Sequence, residues 1–469
     1  MRNQEQGKEA PVRSGATIGT RASRPPGAGL EQTELRLGFV ALSDCAPLVI
    51  AKERGFFRRH GLSVGLERQP SWANIRDKVA HGLLDGAQML APMPLSSTLG
   101  LEGLTTPIIA PLALSASGNA ITVSGDLYDR MRETVSSPTD EPFDAGRALR
   151  RVIRAGRAVG DPPLRFAVVH AYSSHHYQLA YWLAAAGIDP ARDVLLSVIP
   201  PVSMVRALQR GEIDGYAVGE PWNQLALDLG IGVPVVASHQ IWQSAPEKVF
   251  GVTEEWAEQH PETLRALLRA LLEASEWLDR PENRLEAVHV IAGESYVDAP
   301  VATVAQSLAR PAHAGNEAGT KHVFHAGAAT FPWASHAVWF LTQMLRWGQI
   351  EKPLRIDELA CRVYRADLYR DAAEDLGIAF PESDMKVEGT HAAPWSFSRA
   401  SGAITLLPDR FIDGRVFRPD EPIGYLESFE VSAMRVRLDD LALMNSRTRP
   451  DAAQGSGDND EKRGSALVR

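Results

Sequence analysis

A thiol beside a carboxylate, Asp44-Cys45, and a histidine pair, His175-His176, are the first places in this sequence where chemistry could sit. A cysteine becomes a nucleophile only when a neighbouring base or cation holds it as thiolate. No motif supplies that base to Cys45, and a small thiol filling a strand-to-helix turn is the plainer reading. Adjacent histidines on a helix point about 100° apart and do not easily share one metal ion. His322, His325 and His336 fall in a C-terminal helical stretch and read as structural. There is no Gly-rich phosphate loop ending in Lys-Ser/Thr, no Gly-x-Ser-x-Gly elbow, no His-Glu-x-x-His and no dinucleotide fingerprint. Asp-rich calcium loops are also missing. Binding is favoured over catalysis, with no cofactor and no metal expected.

The bulk composition narrows the partners. Setting 58 acidic against 49 basic residues leaves a formal charge of -9 on 469 residues. That is the wrong sign for a general nucleic-acid or anionic-membrane binder, so no direct nucleic-acid contact is expected. A small anion would have to be held by local groups. Two cysteines build no disulfide framework, and no apolar run is long enough to span a membrane. Residues 1–33 are polar and rich in Arg, Gly and Pro, without the apolar core of a secretory signal. They read as a disordered leader on a cytoplasmic protein, the alternative being a periplasmic protein with a misassigned start. Residues 445–469 read as a disordered tail.

The elements that must position any site alternate between strand and helix. Leu35–Leu42 is a near-continuous apolar run, Ala46–His60 has helical spacing closed by Gly61, and Leu62–Arg68 alternates like a strand. Asn74–Leu83 reads as a helix and Gly86–Leu90 as a strand. A second series begins near Ile121, with a helix over Ala145–Ala155, strands over Leu164–His170, Val194–Ile199 and Gly215–Val218, and intervening helices. Two such series predict an α/β protein of two doubly wound lobes with a ligand crevice between them. From Glu254 the pattern changes to long helices, among them Pro261–Leu278 and Phe331–Trp347. The expected division is lobe 1 over 34–122, lobe 2 over 123–239, and a return to lobe 1 with a helical extension over 240–444.

Several segments go beyond fold class. LGFVALSDCAPLVIAKERGFF, SWANIRDKVAHGLLDGAQMLAPMP, SGNAITVS, SSHHYQLAYWLAAAGIDP, GEIDGYAVGEPWN, APEKVFGVTEEWAEQHPE and AATFPWASHAVWFLTQMLRWGQI follow one another along the chain. Together they closely resemble the nitrate- and bicarbonate-binding proteins of bacterial ABC importers, over roughly Leu35 to Arg370. The resemblance implies a two-lobed, periplasmic-binding-protein-like (type II) fold with an enlarged helical C-terminal part, and no catalysis. It places the ligand residues at Trp72, Asn119, Ser174, His175, Pro201 and Lys248, with Glu220-Pro221-Trp222 as a hinge-side motif. Asn119 stands where relatives carry glutamine, so it offers the same amide on a stem one methylene shorter.

Nitrate is a planar monoanion with three acceptor oxygens and no proton to donate. Lys248, His175, Asn119 and the Ser173-Ser174 turn offer donors, and Trp72 offers a flat wall and an indole N–H. In the bicarbonate branch of the family the lysine position is acidic and works with calcium, so Lys248 favours nitrate or nitrite. The leader assigns the chain to the soluble relatives that sense nitrate in the cytoplasm and control an RNA-binding antiterminator response regulator of nitrate-assimilation genes. The alternative is the substrate-binding subunit of a nitrate ABC importer, working with its permease and ATPase.

Overall fold

The computed structural model describes residues 29–134, 142–308 and 322–445. Ten strands build two five-stranded sheets. In chain order they are β1 (Glu34–Val40), β2 (Ser63–Gln69), β3 (Gly86–Leu90), β4 (Ile108–Ala116), β5 (Asn119–Ser124), β6 (Leu164–Val168), β7 (Val194–Val198), β8 (Gly215–Gly219), β9 (Gly232–Ala237) and β10 (Pro246–Thr253). The first sheet has the order β2-β1-β3-β10-β4 and the second β7-β6-β8-β5-β9. In each, the strand second from one edge runs antiparallel to both neighbours: β10 against β3 and β4, β5 against β8 and β9. These are the strands by which the chain enters lobe 2 and returns to lobe 1, so the two lobes share one topology.

The crossing into lobe 2 lies at Ser117–Gly118, between β4 and β5. A boundary after residue 122 would cut β5, which pairs along its length with β8 and β9. Gly118 has φ +92°, and a Cβ there would lie 2.1 Å from the His322 ring, so glycine is needed both for the turn and for the close approach. Strands β4, β9 and β10 were not among the sequence-based expectations. β4 carries Pro111 within its run and β10 opens on Pro246, and β4 tolerates its proline because it is an edge strand with a register shift nearby.

Several predicted elements differ in extent. The helix expected over Ala46–His60 stops at Glu53, because Gly55 takes φ +73° and a separate turn, Phe56–Arg59, follows. The helix expected over Ala145–Ala155 runs from Pro142 to Val159. Helices dominate after Glu254 as expected, through Pro261–Asp279 and Ala334–Arg346 to Ala366–Leu376. The last part departs from a helical extension: beyond Gly377 the chain is largely irregular, with a small ribbon, Trp395–Phe397 paired to Ile404–Leu406, and two short helices.

The leader and tail lie outside the described residues except at their inner ends. There, Glu31 docks on the start of the helix Pro261–Asp279, its carboxylate accepting from the backbone N–H of Glu262 (3.1 Å) and of Thr263 (2.8 Å). Those N–H groups have no partner within the helix, and a carboxylate is well suited to them. Residues 29–33 are thus part of the fold. Among the described residues, no helix is long and apolar enough to cross a membrane.

Candidate functional site

The parallel strands of both sheets end on the same crevice. On the lobe 1 side, β1 leads into the turn Ser43–Cys45, β2 leads into the helix Trp72–Ala80, and β10 begins there with Pro246, Glu247 and Lys248, the last paired with Leu90 at the end of β3. On the lobe 2 side, β6 leads into the helix Ser174–Ala185, β7 into the turn Pro201–Ser203 and β8 into Glu220, while β5 begins with Asn119 opposite Gly219. Crevices at the carboxyl ends of such sheets are where doubly wound folds bind ligands. All six residues implied by the resemblance lie along these edges, and all are buried.

Lys248 is the hub. Its ammonium donates to Asp44 Oδ2 at 2.7 Å and to Glu247 Oε1, and it lies 5.4 Å from the centroid of the Trp72 ring. Asp44 also accepts from Gln88 Nε2 at 2.5 Å, and Gln88 is oriented by accepting from the Val40 N–H at 3.0 Å. Glu247 Oε2 accepts from the Asn119 amide, which also donates to Gln178 Oε1 at 3.3 Å. His175 Nε2 stands 3.5 Å from Glu247 Oε1 across the crevice, too far for a good hydrogen bond. Ser174 and His175 occupy the first turn of their helix, capped by Ser173, whose hydroxyl accepts from His176 N at 3.0 Å. Pro201, without a donor, is buried at the head of the turn after β7.

Electrostatics follow from burial and pairing. Burial opposes the Lys248 charge, but Asp44 and Glu247 outweigh it and raise its pKa, so the ammonium stays charged. Burial pushes the Asp44 carboxyl above the usual range despite Lys248, with Glu247 adding to the rise. Burial, helped by the Lys248 charge, drives the His175 imidazole well below its ordinary value, so it is neutral at pH 7. The cation that the sequence offered as a free anion donor is therefore already matched by two carboxylates. Asp44, Gln88 and Gln178 were not read from the sequence as site residues. Their only signal is position: Asp44 stands in the turn that follows β1, and Gln88 lies within β3. Cys45 is a buried structural thiol, its pKa pushed up by burial and by Asp44.

The unpaired atoms are as informative as the paired ones. Among the described residues, Trp72 Nε1, Ser174 Oγ, both ring nitrogens of His175 and Asn119 Oδ1 are buried without a hydrogen-bond partner. Each such group costs about 1–3 kcal/mol, and folded proteins keep few of them. Four of the six expected ligand residues carry one. Three of these four, Trp72, Ser174 and His175, bring groups able to donate, as an acceptor-only anion requires.

The lobes meet directly around this cluster. Ser43 N donates to Glu220 O at 2.8 Å, Trp222 Nε1 to Ala41 O at 3.0 Å, and His170 Nε2 lies 3.0 Å from Glu102 Oε1. Glu220–Pro221 is a cis peptide. With the cluster fully enclosed, a ligand reaches it only when the lobes part.

Known proteins resemble this chain in sequence and fold. The chain matches the NMT1-like family over residues 28–292. It is 36% identical over 430 residues to the nitrate import ATP-binding protein NrtC of Synechocystis sp., a match covering 89% of this chain and 59% of that protein. It is 38% identical over 403 residues to the bicarbonate transport ATP-binding protein CmpC of the same organism, covering 85% of this chain and 55% of that one. The chain thus spans little more than half the length of these relatives. It is 30% identical over 435 residues to the nitrate/nitrite binding protein NrtA of Nostoc sp., covering 91% of each. The crystal structure of the periplasmic nitrate-binding protein NrtA from Synechocystis superposes with a TM-score of 0.72 at 29% identity, covering 86% of this chain and all of that one. The chain therefore belongs to the NMT1-like family, among the NrtA-like substrate-binding proteins of ABC transporters, and has their two-lobed fold.

Proposed function

We propose that this chain binds nitrate or nitrite in the crevice between its lobes. The observation that carries the reading is the set of buried, unpaired donors at Trp72, Ser174 and His175 along the crevice edges, with Lys248 beside the Trp72 ring. Nitrate has three acceptor oxygens for them and a flat face suited to the Trp72 ring. NrtA relatives named for binding nitrate and nitrite, over nearly the whole chain, support the same ligand. Bicarbonate is the competing ligand: CmpC matches as well as NrtC does, and Asp44 and Glu247 supply acceptors that the bicarbonate O–H could use.

Closure of the lobes on the anion is the signal a partner would read. In one role the reader is an ABC permease with its ATPase, as the transport names of the relatives suggest. In the other it is an RNA-binding antiterminator held by the open form in the cytoplasm and released on closure. Linkage requires that a partner preferring the open form weaken anion binding by the same factor as the anion weakens partner binding. Calorimetric titration with nitrate, nitrite and bicarbonate tests the ligand: saturable heat with nitrate or nitrite is expected, and heat only with bicarbonate would overturn it. Co-purification from cells with and without nitrate identifies the partner.

A further inference from the structure

We infer that the crevice takes up its anion together with one proton, and that His175 is the residue that receives it. The inference rests on the anion-binding reading and on charge bookkeeping in a fully enclosed cluster. With both carboxylates ionised in their pairs with Lys248, and His175 neutral, these four side chains carry one net negative charge without solvent access. A bare anion would double that charge in a site where water cannot screen it. A proton arriving with the anion keeps the net charge constant.

The geometry selects the acceptor of that proton. Each Asp44 oxygen already accepts one hydrogen bond, Oδ2 from Lys248 and Oδ1 from Gln88, whose amide is fixed by the Val40 N–H. A proton on Asp44 would cancel the charge that pairs with Lys248 and weaken both bonds. His175 has both ring nitrogens unpaired, and Nε2 already stands 3.5 Å from Glu247 Oε1. Once protonated, the imidazolium donates from one nitrogen to Glu247 and from the other to the anion. The titratable groups around it are Glu247 and Lys248 on β10, Asp44 and Cys45 in the turn after β1, His176 on its own helix, and His322 with Arg284 behind the crossing at Gly118. Burial, helped by the Lys248 charge, keeps the proton off His175. An anion reverses that balance.

The test is calorimetric titration of the full chain with nitrate at pH 7.5 in phosphate and in Tris, two buffers of different ionisation enthalpy, followed by affinity measurements from pH 6 to 9. The expected result is a heat that depends on the buffer, corresponding to about one proton per nitrate, and a Kd that weakens about tenfold per pH unit at the alkaline end. The His175→Gln variant keeps a donor but cannot carry the proton, so its heat is expected to be the same in both buffers. Nitrate binding with buffer-independent heat and a flat Kd would overturn the inference while leaving anion binding intact. Buffer dependence that survives in His175→Gln would overturn the assignment to His175. Absence of saturable heat with nitrate or nitrite at every pH would overturn the anion-binding reading and this inference with it.

Discussion

Two lysine-centred clusters in this chain use nearly the same residue types and reach opposite states. Lys248 lies 5.4 Å from the centroid of the Trp72 ring beside Asp44, Glu247 and His175; Lys386 lies 5.3 Å from that of Trp333 beside Glu388 and His336. The second cluster closes on itself. One ammonium meets one carboxylate, His336 Nε2 sits 3.0 Å from Glu388 Oε1, and Lys386 and His336 outweigh burial to hold Glu388 below the usual carboxylate range. The first does not close. Two carboxylates share one ammonium, burial lifts Asp44 in spite of Lys248, and His175 is left without a partner at either nitrogen. The second cluster thus satisfies its own carboxylate, whereas the first leaves buried donors at Trp72, Ser174 and His175 for an arriving acceptor.

Removing each lysine should break this comparison most sharply. Lys248→Met leaves two buried carboxylates without a cation, which is expected to cost about 3–5 kcal/mol of stability and to abolish nitrate binding. Lys386→Met leaves only one carboxylate, still contacted by His336, so its cost should fall at or below the lower end of that range. Its nitrate Kd should stay within about twofold of wild type, since the clusters share no residue. Denaturant unfolding and calorimetry on both variants check this, and loss of nitrate binding in Lys386→Met would erase the distinction.

A smaller effect concerns acid stability. Burial, Arg284 and Lys248 push the His322 pKa down to about 3 from its ordinary 6.5. Below pH 6.5 the unfolded chain takes up a proton that the folded chain refuses until about pH 3, so stability is lost as pH falls through that window. From pH 7 to pH 5 the loss from this residue should be about 2 kcal/mol. Burial pushes His176 down to about 4, and its effect on stability has the same sign. His322→Phe keeps a ring against Gly118 and Phe324 and should flatten the dependence by about that amount; a loss of unfolding free energy between pH 7 and pH 5 as large in the variant as in wild type, by denaturant unfolding, would contradict the assignment.

The smallest effect separates ligand donors from structural ones. Ser174→Ala removes a buried hydroxyl that has no partner in the fold. Its stability should be unchanged or slightly higher, while nitrate affinity falls about fivefold, the worth of one hydrogen bond of about 1 kcal/mol. Destabilisation with unchanged affinity would show that the hydroxyl serves the fold.

Much of the fold was legible in the sequence because the relevant signals are local, whereas the six site residues came only from the family resemblance. Apolar runs such as Leu35–Val40 and the leucine spacing of Pro261–Asp279 report burial directly, and they fix the alternating order that brings Trp72, Asn119, Ser174, His175, Pro201 and Lys248 to one pair of sheet edges. What stayed hidden depends on long-range pairing. Pro111 and Pro246 masked two strands whose hydrogen bonds lie with partners more than a hundred residues away. The charge balance at Lys248 was equally invisible, since Asp44 is 204 residues distant and nothing in its neighbourhood says which cation it will meet.

The most direct measurement is a crystal structure of the full chain grown with nitrate. A planar, three-armed density is expected between the lobes, within hydrogen-bonding distance of Trp72 Nε1, Ser174 Oγ and His175 and close to Lys248. A closed crevice holding no density there, or nitrate bound elsewhere with those donors still unpaired, would contradict it.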